Sequence, residues 1–298
     1  MDLVYRLNKH SKVATILRGV FQPITYPLIG GLVKLAVLRH HLAIVNHDEF
    51  INAWKNRPRS RPLLTVSNHY SCLDDLLFGS LLSLFDLTRV DRYRWSLAAV
   101  DICFTNTLYS MFFNWGKCVP VWRKVCDPNT GEVIHPGGGV YQPSMNFSIE
   151  LLNRGEWVHV FPQGRVIQPY ERCVMAKKPL RWGIGRLIAE CTVDPLVLPI
   201  WHCGFDTLNP SVKPTVRQTL SCILGKPRCL TIVIGAPIDF SRLRRELSAN
   251  WFAYQSSAEF RSSVHARLTA FVQHSLCSLK TLAERLHDQS IQMHISKQ

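Results

Sequence analysis

Apolar residues in this chain fall into short runs separated by polar stretches, and both periods of regular structure can be read from them. Leu63-Leu64-Thr65-Val66-Ser67 reads as a strand, as do Lys117 to Trp122, Trp157 to Phe161, Leu196 to Trp201 and Leu230 to Ile234. Between them, Asp74 to Phe85, Tyr141 to Arg154 and Trp182 to Cys191 carry helical patterns. From Ala258 to His287, the residues Phe260, Val264, Leu268, Val272, Leu276 and Leu279 recur at steps of three or four, as on the packed face of a long helix. This alternation predicts an α/β fold. Lys124 to Gly139 is rich in Asp, Asn, Pro and Gly and is expected to form a surface loop. Pro199, inside an apolar run, predicts a sheet edge or the rim of a site. No repeat or linker divides the chain.

Two uncharged stretches stand apart. Gly19 to Val33 is bounded by Arg18 and Lys34, follows a basic start with Arg6, Lys9 and Lys12, and is shorter than the roughly 20 apolar residues of a spanning helix. Pro23 and Pro27 are expected to interrupt it. The pattern predicts a re-entrant or interfacial membrane segment, with Arg18 and Lys34 reaching headgroups; a core helix hairpin is the alternative. Ile102 to Gly116 carries Phe104, Tyr109, Phe112, Phe113 and Trp115. It suits a membrane interface, an acyl-chain pocket or plain core packing.

Composition narrows the classes. Hydrophobic residues make up 47% of the 298 and charged residues 19%, which excludes a disordered chain, a collagen-like chain and a coiled-coil rod. The net charge of +14 points to a polyanionic partner or to ordinary solubility charge. Joined to so apolar a composition, it favours an anionic membrane surface. No basic and aromatic motif of a nucleic-acid binder is present. Ten cysteines are scattered without a CxxC pair, as expected of buried reduced thiols, and no secretory signal is visible.

The chain has no GxSxG elbow, no GxxxxGK[ST] loop and no HExxH helix. The strongest candidate is Asn68-His69-Tyr70-Ser71-Cys72-Leu73-Asp74-Asp75, where a predicted strand gives way to a predicted helix. His69 and Asp74 can meet only if His69 lies just before the helix and Asp74 in its first turns. An Asp holding one imidazole nitrogen leaves the other free to take a proton from a hydroxyl. The alternative is an N-terminal cap, with Ser71 or Asp74 capping and His69 a bystander. A second candidate is the turn Phe161-Pro162-Gln163-Gly164-Arg165 at a strand end, which exposes backbone N–H groups beside a cation. Arg123, ending the strand from Lys117, is similar. Both suit a phosphate, and each alone also fits a turn with a solvated cation.

These segments, in this order, resemble the glycerolipid acyltransferase superfamily: an HxxxxD motif, a strand ending in Arg, a Phe-Pro-Glu-Gly turn and a proline in a late strand. The closer likeness is to its tafazzin family. It runs through Ser67-Asn68-His69, Ala99 to Thr105, Gly116 to Val121, Gly139 to Gln142, Trp157 to Pro162 and Arg181 to Cys191, over roughly residues 40 to 290.

The resemblance implies a single-domain acyltransferase fold over 39–298, with a mixed central sheet flanked by helices, and a membrane-associating helical segment over 1–38. It implies transfer of acyl chains between phospholipids and lysophospholipids without coenzyme A, including cardiolipin remodelling at a mitochondrial membrane, bound interfacially and facing the intermembrane space. By position, His69 is the general base and Asp74 its partner. Arg123 and Arg165 hold lipid phosphate, and Phe161, Pro162, Gln163 and Gly164 form the substrate turn. No cofactor, metal or nucleic acid is implied, and no oligomeric state. Gln163 departs from the family Glu: it keeps the hydrogen-bonding oxygen and loses the charge. The motifs fit equally an acyl-CoA-dependent lysophospholipid acyltransferase. Gln163 leaves room for a membrane-binding protein with weakened catalysis.

Overall fold

A sequence that alternates buried strands with amphipathic helices must cover both faces of its sheet, and it does so here. The computed structural model describes residues 12–127, 130–176, 178–208 and 224–296, with positions 215, 217 and 221. Arg6, Lys9 and Cys222 lie outside the described residues, as does the side chain of Arg18.

The sheet contains β1 (His41–Val45), β2 (Leu63–Ser67), β3 (Trp95–Ala99), β4 (Cys118–Val121), β7 (Trp157–Val160), β8 (Leu196–Cys203) and β9 (Cys229–Ile234), in the order β1-β9-β8-β2-β7-β3-β4. β8 and β9 pair antiparallel and all other neighbours pair parallel, so the sheet is mixed. The segment expected as a plain loop carries a small antiparallel hairpin of β5 (Val125–Cys126) and β6 (Val133–His135).

Side chains alternate between two cores. Leu64, Val66, Val158, Val160, Val197 and Trp201 face one core, with Leu187, Leu268 and Val272. Leu63, Trp157, Leu198, Ile200 and Ile232 face the other, with Phe50, Phe78 and Leu82. The first is closed by helices Pro143–Asn153, Gly183–Glu190 and Ala258–Ile295; the second by Lys12–Val37, Leu77–Leu81 and Leu84–Leu87.

Six expectations need correction. Pro199 is not at an edge: β8 is an interior strand. Antiparallel β9 ends at Ile234, and Gly235 N–H donates to Pro199 O at 2.9 Å, so Pro199 only has to accept there. The helix expected over Asp74 to Phe85 breaks at Ser83, whose side chain caps Leu84–Leu87 in a capping box with Asp86. The N-terminal helix runs unbroken from Lys12 to Val37 through Pro23 and Pro27. Its surroundings hold it: Gln22 Nε2 and Tyr26 Oη donate to Trp115 O at 2.6 and 2.8 Å, and Trp115 Nε1 donates to Thr25 Oγ1 at 2.9 Å. Its apolar part, Gly19–Val37, is long enough to cross a membrane by length and composition, so shortness does not argue against spanning. Lys34 turns inward and donates to Ser80 O at 3.4 Å instead of reaching out. Finally, the cysteines are not uniformly buried: Cys126, Cys173 and Cys277 are exposed, and the described cysteines form no disulfide.

Candidate active site

β2 ends at Ser67, and the next residues cross the carboxyl ends of the parallel strands, where open α/β sheets place their ligands. Asn68 fixes this exit. Its side-chain amide donates to His202 O at 3.0 Å and accepts from His202 N–H at 2.9 Å, prolonging the β2–β8 pairing by one side chain.

His69 follows, and its backbone is held on one side by the Phe161–Arg165 turn and on the other by Ile167, two residues beyond it. His69 N–H donates to Gln163 Oε1 at 2.7 Å, and Ile167 N–H donates to His69 O at 2.8 Å. The His69 ring lies on the Phe161 ring, with centroids 4.0 Å apart and planes 15° from parallel. Gln163 therefore orients the turn through the same oxygen that a Glu would supply.

Asp74 Oδ2 receives three N–H groups: His69 Nδ1 at 3.0 Å, Tyr70 N at 2.6 Å and Ser71 N at 2.9 Å. Ser71 Oγ in turn accepts from Leu73 N–H at 3.1 Å. The cap and the dyad, set against each other in the sequence, are thus one arrangement: Asp74 reaches back to a cap N–H and takes the imidazole with the same oxygen. Asp74 is fully buried and the His69 side chain is 20% exposed. With Nδ1–H committed to Asp74, Nε2 is the unprotonated nitrogen of neutral His69, and it has no partner among the described residues.

Beneath the pair lies a buried polar layer on the inward positions of three strands. Trp157 Nε1 donates to Thr65 Oγ1 at 2.8 Å, and Thr65 Oγ1 meets His159 Nδ1 at 2.9 Å. Ser67 Oγ lies 3.4 Å from His159 Nε2 and donates to Asn68 O, which also accepts from His202 Nε2 at 2.9 Å. Because a carbonyl only accepts, His202 carries its proton on Nε2. Burial, with the nearby Arg94 charge, holds the His159 pKa well below the usual histidine range. The signal was present in the sequence as polar residues at alternate positions of apolar strands.

Asp75 also escaped the sequence reading. It pairs with the buried Arg94, whose guanidinium lies over the rings of Phe78 and Tyr93, and so ties the turn bearing Asp74 to the foot of β3.

The two expected phosphate arginines are already engaged. Arg123 Nε and Nη2 grip Asp101 at 2.9 and 2.7 Å, and Gln142 Oε1 steadies the strand end by accepting from Trp122 N–H at 2.8 Å. Arg165 Nη1 and Nη2 take the two oxygens of Glu171 at 2.6 and 2.5 Å. Each keeps one guanidinium nitrogen outside its pair. Among the described residues, no three His, Cys, Asp or Glu gather as a metal site. Burial and the Asp74 charge push the Cys72 thiol up, so it is a poor nucleophile.

A broad apolar surface flanks these elements. The N-terminal helix buries Gln22, Tyr26 and Val37 and exposes Ile24, Leu28, Leu32 and Leu35. The neighbouring helix Thr107–Trp115 exposes Leu108, Tyr109, Met111 and Phe112. The aromatic stretch is therefore surface and not core, which suits a membrane interface.

The Acyltransferase family profile matches residues 50–203, which span β2, β7, β8, His69 and Asp74. Tafazzin of Drosophila melanogaster is 36% identical over 82% of this chain and 56% of its own length. N-acylphosphatidylethanolamine synthase of Arabidopsis thaliana is 39% identical over 69% of this chain and 66% of its own. The taffazin of Dictyostelium discoideum is 34% identical over 76% of this chain and 74% of its own. The chain thus spans little more than half of the Drosophila relative, and its motif segments from Ser67 to Cys191 fall within the residues that the family profile matches. It belongs to the tafazzin family of the glycerolipid acyltransferase superfamily.

Proposed function

We propose that the protein is a phospholipid–lysophospholipid transacylase that works without coenzyme A and exchanges acyl chains of cardiolipin and other phospholipids. The observation that carries this reading is the open Nε2 of His69, with Nδ1–H held by buried Asp74. The lysolipid hydroxyl gives its proton to Nε2 as its oxygen attacks the ester carbonyl of the donor lipid. The tetrahedral intermediate then collapses, and the departing lysolipid oxygen takes the proton back from His69. Asp74 stabilises the imidazolium between the two transfers. A base so placed contributes about 10²–10⁴-fold, or roughly 3–5 kcal/mol of barrier. The raised Cys72 thiol favours direct transfer over an acyl-enzyme. Phe161, Pro162, Gln163 and Gly164 form the wall beside the reacting groups, and Arg123 and Arg165 line the approach of lipid phosphate.

The site acts at a membrane surface. Residues 1–38 form the membrane-associating segment and 39–298 the acyltransferase domain. The docked inner face of the first helix and its apolar outer face support an interfacial position, and net charge +14 supports an anionic surface such as cardiolipin. A mitochondrial membrane, on the side facing the intermembrane space, is the setting that the family likeness favours.

The Arabidopsis relative's name favours a second reading, in which the acceptor is the amine of phosphatidylethanolamine. One assay separates the readings. Purified protein receives labelled phosphatidylcholine with monolysocardiolipin or phosphatidylethanolamine in liposomes, alone or with acyl-CoA as the labelled donor. Label in cardiolipin without coenzyme A supports the transacylase. Label only from acyl-CoA, or only on the ethanolamine nitrogen, replaces it.

A further inference from the structure

Arg165 and Arg181 sit at the turn that holds His69, Arg123 follows the end of β4, and the three differ in what they already hold. Arg165 is clamped by Glu171 and Arg123 by Asp101, each through two nitrogens. Arg181 is exposed, and among the described residues its guanidinium has no partner.

Its placement is nevertheless fixed. Arg181 N–H donates to Pro162 O at 2.9 Å, which ties its backbone to the turn. Its side chain then runs across Gly164: a Cβ at that position would lie 3.3 Å from Arg181 Cγ and 3.6 Å from Nε. Gly164 also has φ +75°, where a side chain is strained. So the glycine serves the turn and also leaves a lane for this arginine. The neighbouring residue, Gln163, holds the His69 N–H. The turn therefore carries one neutralised arginine and one whose side-chain donors have no partner among the described residues.

We propose that Arg181 grips the phosphodiester of the glycerophospholipid substrate, while Arg165 and Arg123, paired with their carboxylates, line its approach. The inference rests on the transacylase reading and assigns its headgroup contact. A free guanidinium fork offers two parallel N–H groups to two phosphate oxygens, with no internal ion pair to break first.

The test compares Arg181→Gln and Arg181→Lys with wild type, and uses Arg242→Gln as a control that removes the same charge from a distant exposed site. Acyl transfer to lysophosphatidylcholine is followed in mixed micelles. Binding of sn-glycero-3-phosphocholine and of inorganic phosphate is followed by tryptophan fluorescence, Trp182 being adjacent. Arg181→Gln raises KM about tenfold or more, the size of a lost charged hydrogen bond, and keeps kcat within about twofold. Arg181→Lys recovers part of the loss, and Arg242→Gln matches wild type. Glycerophosphocholine binds wild type and not Arg181→Gln. An unchanged KM overturns the proposal, as does a fall in kcat with KM unmoved, which would make Arg181 a prop for the turn. Tighter binding of inorganic phosphate than of glycerophosphocholine also overturns it, as a free-anion site. If wild type transfers no acyl chain, the transacylase reading fails, and the glycerophosphocholine titration still decides Arg181.

Discussion

Asp74 Oδ2 lies 3.0 Å from His69 Nδ1 and also takes the backbone N–H of Tyr70 and Ser71. One buried atom thus sets both the start of the helical turn and the tautomer of the base. Asp74→Asn separates its hydrogen bonds from its charge. An amide oxygen in the place of Oδ2 keeps all three N–H donors, His69 Nδ1–H included, but removes the negative charge that stabilises the imidazolium. Acyl transfer falls about 10²–10⁴-fold while thermal stability changes little. Activity and melting temperature, measured on one preparation, check this; retained activity would show that the carboxylate charge is dispensable.

Gln163 needs only its oxygen. Gln163→Glu keeps the acceptor for His69 N–H and retains activity. Gln163→Leu leaves that N–H without its partner at a cost of about 1–3 kcal/mol, and lowers both activity and melting temperature. Loss of transfer in the Glu variant would mean that the site depends on a neutral group there.

Stability falls on mild acidification. Burial, the leading cause in each case, lowers the pKa of His159, of His287 and of His265, the last to about 4. The unfolded chain takes protons near pH 6.5 that the folded chain refuses, so this stability is complete above that pH. It declines toward pH 4, at up to about 1.4 kcal/mol per pH unit for each group. A melting temperature flat from pH 7 to 8 and falling below 6.5 is expected. His265→Gln, which keeps a donor for Tyr254 Oη, makes the fall shallower; an equally steep fall would place the effect elsewhere.

Membrane binding rests on the outer face of the first helix. The triple change Leu28→Ser, Leu32→Ser and Leu35→Ser removes exposed apolar side chains from that face. Each is worth about 1.5–3 kcal/mol when fully inserted, so liposome binding drops more than tenfold while the fold persists. Undiminished sedimentation with liposomes would move the contact to another surface.

The parts legible in the sequence were those set by local pattern. β2, β7, β8 and β9 are apolar runs buried on both faces, and His69 and Asp74 stood at a strand-to-helix junction. β1 and β3, as long as β2, were missed because their apolar runs are diluted, by His41 in β1 and by Ser96, Ala98 and Ala99 in β3, and because each follows basic residues, Arg39 and His40 or Arg92 and Arg94. The helix through Pro23 and Pro27 was not legible because what holds it is Trp115, far along the chain. The same limit hid the state of the arginines: no spacing rule pairs Arg123 with Asp101, although Glu171 is only six residues from Arg165. Ser83 could have been read as a cap from Ser-x-x-Asp, and His159 and His202 as an inward polar layer.

The most direct test of the account is the turnover of His69→Ala in the coenzyme A-free assay, with liposome binding measured in parallel. The account predicts a loss of transfer of about 10²–10⁴-fold or more, with binding unchanged. Turnover equal to wild type would contradict it, because the open imidazole nitrogen beside Asp74 would then not be the base.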